Sequence, residues 1–141
     1  MAAFNKFNIF VQDLGRGVHN LHSHTLKVAL SNNAPSSGNA TLADITQISS
    51  GNGYSAGGSQ VANNNYTQTS GVAKLLGDDV VFTASGGSIG PLRYVVFYND
   101  TPTNPDNPLI GWWDYGSSIT LNSGETFTVD FDGTNGILTL Q

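Results

Sequence analysis

Apolar residues concentrate in one stretch, Leu92 to Tyr98, where only Arg93 interrupts a run of aliphatic and aromatic side chains. A strand that is apolar on both faces is normally covered on both, so the run predicts a strand in the middle of a sheet or sandwich. Asn99 to Pro108 then brings Asn, Asp, Thr and three prolines, which cannot continue a hydrogen-bonded ladder. Leu109 to Tyr115 follows with both tryptophans. Together these segments predict a long-looped antiparallel hairpin that organises the core. Tyr94, Phe97, Trp112 and Trp113 are its expected core anchors, joined by Phe127 and Phe131 from a later strand.

The rest of the pattern divides into short pieces. Phe4, Phe7, Val11, Leu14, Val18 and Leu21 recur at steps of three and four, which predicts a short amphipathic helix over about residues 4–14; a strand is the alternative. Gly15 and Gly17 weaken the second half of that helix, each at about 1 kcal/mol relative to Ala. Thr25 to Leu30 alternates as a half-buried strand, and residues 31–39 read as a loop. Leu42, Ile45 and Ile48 suit one helical turn or the lead-in to a strand. Residues 49–71 carry few large apolar groups and no charge, the composition of a flexible arm or loop, either a weak edge strand or a segment ordered against a neighbouring subunit. Val72–Leu76, Val80–Ala84, Ser118–Leu121, Thr126–Phe131 and Ile137–Leu140 complete about eight short strands, separated by turns rich in Gly, Asn and Asp. The expectation is an all-β fold: a single antiparallel β-sandwich, jelly-roll- or Ig-like, with a short N-terminal helix. One domain spans residues 1–141, with 1–22 as its N-terminal segment.

Charge and composition narrow the function. Charged residues make up only 11% of the chain and the formal net charge is −5, so electrostatic binding to nucleic acid is not expected. There is no cysteine, which removes disulfides and thiolate chemistry. The N-terminal sequence lacks the apolar core of a signal peptide, and no apolar run has the length of a membrane span, so neither secretion by that route nor a membrane partner is expected.

Few residues suggest chemistry. His19, His22 and His24 lie close together; on one strand, His22 and His24 would share a face and could share a metal. No nearby acid or cysteine completes a ligand set, and histidines in a surface turn are the simpler expectation. Asp130 to Gly136 opens like a calcium loop, but Asn135 stands where the loop needs Gly, and the twelfth ligand is missing. A β-turn fits better. There is no nucleophile elbow, phosphate-binding loop or dinucleotide fingerprint, so no enzyme, catalytic residue, metal or cofactor is expected.

Several blocks also carry a resemblance. An N-terminal Phe-rich segment runs into Ser23-His24-Thr25-Leu26-Lys27-Val28-Ala29-Leu30, followed by a Gly-Asn-Gly-Tyr-x-Ala-Gly-Gly block at 51–58. DVVFTASGGSIGPLRYVVFYND at 79–100, PLIGWWDYGSSITL and GETFTVDFDGTNGIL complete the set. Together they resemble a family of small virion structural proteins of tailed bacteriophages. The resemblance implies a place in the virion and brings no catalytic residues. Within that setting the expected role is a capsid decoration or cement protein, a homotrimer bound to the major capsid protein. The alternative is a tail component: a tube or baseplate subunit, or a fibre module that stacks Trp112, Trp113 and Tyr115 on host glycans. Phe4, Phe7, Phe10, Tyr54 and Tyr66 are the candidate assembly contacts.

Overall fold

The central hairpin forms as the apolar pattern requires, with longer arms. In the computed structural model, which describes residues 2–141, the described chain contains ten strands and one α-helix. They are β1 (Asn5–Lys6), α1 (Asn8–Gly15), β2 (Leu26–Ser31), β3 (Ser59–Gln60), β4 (Asn65–Thr69), β5 (Val72–Leu76), β6 (Val80–Thr83), β7 (Ile89–Asn99), β8 (Leu109–Leu121), β9 (Thr126–Val129) and β10 (Leu138–Leu140). All pairings are antiparallel. A five-stranded sheet has the order β1-β8-β7-β2-β3; β10-β5-β4 and β6-β9 form two smaller sheets.

The two faces of the large sheet explain the unbroken apolar run. Val95 and Phe97 of β7 enter the main core with Leu26, Val28 and Leu30 of β2, facing Leu75, Phe82, Phe127 and Val129 from the smaller sheets. Val96 and Tyr98 point to the other face, where they meet Phe7, Ala29, Leu42 and Leu109. Each large apolar side chain enclosed in this way stabilises the fold by about 1.5–3 kcal/mol. The second face is covered by the N-terminal segment and by a 3-10 turn at Leu42–Asp44. In that turn the Asp44 carboxylate accepts the Ala40 and Thr41 N–H groups at 2.8 and 3.2 Å, and these bonds hold it below the usual carboxylate range.

Several expectations are corrected. The helix starts at Asn8, not residue 4, because the backbone at Asn5 and Lys6 pairs with Trp112 and Gly111 at the edge of β8. Its buried residues are Phe10 and Asp13, while Val11 is 55% exposed, so the inward stripe is rotated from the expected one. Thr25–Leu30 is not half-buried, since Ala29 faces the second cluster. Leu109–Tyr115 and Ser118–Leu121 are one strand, because Gly116, at φ +100°, carries the chain through an irregular point without ending the ladder. β5 and β6 adjoin in sequence yet lie in different sheets.

The 49–71 segment folds onto its own chain. It contributes β3 and β4, and the Tyr54 ring is buried. The Tyr54 hydroxyl accepts the Leu30 N–H at 3.1 Å and donates to Gln47 Oε1 at 2.7 Å. Gly58 is essential to this approach: it has φ +75°, and a Cβ there would collide with the Val28 carbonyl.

Candidate interaction surface

Three terminal strands lie beside apolar surface. β1 closes the five-stranded sheet, β10 closes a three-stranded one, and β9 belongs to a sheet of only two. Two apolar grooves adjoin these strands. The larger, ≈ 510 Å³, lies between α1 and β10 and is lined by Phe4, Phe10, Val11 and Leu14 on one side and Leu138 and Leu140 on the other. The smaller, ≈ 230 Å³, lies along β8 and β9 and is lined by Ala2, Trp113, Tyr115, Phe127 and Val129. The Phe4 ring joins the two, edge-on to Trp113 with centroids 5.4 Å apart. Gly111 makes room for it, since a Cβ there would strike the Phe4 ring.

The sequence builds this side from its two ends. Asn5 is fixed by its side-chain amide, which donates to the Trp112 carbonyl at 3.3 Å, and the Phe7 N–H donates to Ile110 at 3.1 Å. The far wall is set by the turn before β10. There Asp132 Oδ1 accepts the Thr134 and Asn135 N–H groups, each at 2.8 Å, and the Ile137 N–H donates to Leu75. Those bonds, Asn135 foremost, hold the Asp132 carboxyl below its usual range. Among the described residues, the charged ones lining the grooves are Lys6 and Asp130. The ion pairs among the described residues, Lys27–Asp100 at 3.1 Å and Arg93–Asp114 at 2.8 Å, lie elsewhere. An edge strand beside an apolar groove can accept an added strand through main-chain hydrogen bonds, with side chains seated in the groove.

The candidate contacts divide. Phe7 and Tyr54 are buried within the chain itself and cannot serve as open contacts in this fold; Phe10 is buried too and meets the larger groove only as part of its lining. Phe4 lines the larger groove, and Tyr66, half-buried on β4, lines a separate shallow pocket. Of the expected core anchors, Phe97, Trp113, Phe127 and Phe131 are buried. Tyr94 and Trp112 are only partly so. The Arg93 guanidinium lies over the Tyr94 ring at 5.4 Å, and Trp112 packs on Phe7 across the second face, with centroids 4.6 Å apart. Consecutive strand residues alternate faces, so Trp112 and Trp113 cannot line one sugar-stacking groove; Tyr115, 54% exposed, is the open aromatic of the three.

The histidines occupy a turn, not a strand. His22 Nδ1 accepts the Tyr66 N–H at 3.2 Å, whereas His24 Nδ1 faces Asn99 Nδ2 at 2.9 Å. His19 is buried, against expectation, beside Phe10. Among the described residues no group of three His, Cys, Asp or Glu is placed to hold a metal ion, and no helix is long and apolar enough to cross a membrane.

Sequence reasoning missed Val11 and Leu140 as surface residues and half-buried Leu138 as a groove wall. The available signal was the C-terminal Ile137-Leu138-Thr139-Leu140 segment, which is too apolar for a strand with one solvated face. No protein-family model, curated protein or solved structure matches the chain.

Proposed function

We propose that this chain is a non-catalytic structural protein of a tailed-bacteriophage virion, a capsid decoration or cement protein that binds the major capsid protein across the joints between its subunits. The sequence blocks quoted above motivate the virion setting. The single observation that carries a binding role is the pair of apolar grooves beside the terminal strands, where Val11, Tyr115 and Leu140 stay about half exposed. Packaged DNA pushes capsid subunits apart, and a rigid clamp across their joint opposes that force by adding interface area. Assembly as a homotrimer links several modest contacts, so each raises the effective concentration of the next. Low charge suits a surface that must meet neighbours without long-range repulsion.

Particles lacking the protein test the reading. They are expected to lose DNA at lower temperature or milder osmotic shock than complete particles, with tails intact. Normal head stability combined with failed attachment to cells would overturn the cement role and favour the tail component.

A further inference from the structure

His19 lies in the connector between α1 and β2 and is 7% exposed, with its ring 5.3 Å from that of Phe10. Its Nδ1 is 3.1 Å from Asn99 Nδ2, and His24 Nδ1 is 2.9 Å from the same nitrogen. The Thr101 N–H donates to Asn99 Oδ1 at 3.1 Å, which fixes which end of the amide faces the imidazoles. The Asn99 amide nitrogen therefore has two hydrogens to give, one to each ring. The Asn20 N–H also donates to His24 Nδ1, at 3.1 Å. Both Nδ1 atoms are thus acceptors, and both rings carry their proton on Nε2. His19 Nε2 is buried without a partner.

We propose that His19, Asn99 and His24 form an acid-released latch, which holds the start of the 99–108 loop against the connector and lets it go when His19 Nδ1 takes a proton. A protonated Nδ1–H would face the Asn99 N–H donors, and turning the amide over would forfeit the Thr101 bond. The latch joins segments 75 and 80 residues apart in sequence. Two bonds depend on its alignment: the Thr25 N–H donates to Thr101 Oγ1, and the Asp100 N–H donates to the Thr25 carbonyl, each at 2.8 Å. Asn64 Nδ2 donates to the Leu21, His22 and His24 carbonyls and has no titratable group, so the connector stays tethered on the β4 side while the loop side opens. Burial foremost, then His24, lowers the His19 pKa to about 4, so the closed latch resists the proton that opens it.

The surrounding groups do not supply the same response. From α1, Asp13 is buried with its pKa raised by desolvation against the pull of Arg16, so acid favours its folded form. Lys27 of β2 and Asp100 beyond β7 pair with each other at 3.1 Å. In the connector, His22 meets β4 through the Tyr66 N–H and lies outside the latch. This inference stands independently of the virion reading.

Nitrogen NMR and amide hydrogen exchange on the full chain test it. At neutral pH both Nδ1 atoms are expected to be unprotonated acceptors. Between pH 7 and 4.5, exchange at Thr25, Asp100 and Thr101, corrected for intrinsic pH dependence, is expected to rise at least tenfold while Val96 in the β7–β8 ladder keeps its protection. A His19→Leu/His24→Leu double variant is expected to lose that response. A proton on either Nδ1 at neutral pH, unchanged exchange at the three amides, equal opening at Val96, or an acid response that survives in the double variant would each overturn the latch. If the double variant does not fold, the tautomers and site-resolved exchange of the native chain decide alone.

Discussion

Phe97 and Leu140 are both apolar strand residues, yet Phe97 is enclosed between sheets and Leu140 is 50% exposed at the end of one. The difference lies in what each strand has beside it. β7 has β8 and β2 as ladder partners and a cluster on each face. β10 pairs only with β5, and its apolar side chains line a groove that α1 flanks without filling. The hairpin buries its apolar surface in folding; the β1–β10 side leaves some uncovered.

Substitutions measure that contrast. Phe97→Ala should cost about 3–5 kcal/mol, read as a lower denaturation midpoint, because it leaves a cavity in the main core. A loss as small as that for an exposed position would show that the hairpin is not the centre of stability. Next in size is the pH response. The folded His19 pKa of about 4 lies below the ordinary value of 6.5, so the unfolded chain binds more protons between them and stability rises with pH across that window. The His19 contribution is complete above about pH 6.5 and lost by about pH 4, a change of at most about 3 kcal/mol, since an opened latch relieves part of it. Denaturation of the native chain against His19→Leu should show a shallower slope in the variant; matching slopes would contradict the depressed pKa.

Smaller effects sharpen the comparison. Tyr54→Phe keeps the ring but strands the buried Leu30 N–H, at a cost of about 1–3 kcal/mol in thermal or chemical denaturation. An unchanged midpoint would mean that another acceptor or a water serves Leu30. Leu140→Lys should alter stability by no more than about 0.5 kcal/mol, since the residue is exposed, yet weaken association with particles at least tenfold in co-sedimentation. Strong destabilisation would assign Leu140 to the fold; undiminished association would remove the groove from the interface.

The sequence revealed the parts governed by dense, alternating hydrophobicity. β5 was legible to the residue, and the Phe127 and Phe131 anchors were read correctly because polar residues alternate with the apolar ones there. β1, β3 and β4 were not, since Asn5–Lys6, Ser59–Gln60 and Asn65–Thr69 are mostly polar pieces shaped by their partners rather than by their own pattern. The helix stripe misled because Asn5 and Lys6 pair with the edge of β8 instead of joining a helix. The open side was hidden for a different reason: its walls come from residues 4–14 and 137–140, which no local period connects. His19 was hidden likewise, since its burial depends on Asn99, 80 residues away.

The most direct measurement is density for this chain on an assembled particle. It is expected on the outer face of the head, over joints between major capsid subunits, with the β1–β10 side turned to the shell and the groove between Val11 and Leu140 covered. Density within the tail, or a head-bound chain whose β1–β10 side faces solvent, would contradict the role assigned to that surface.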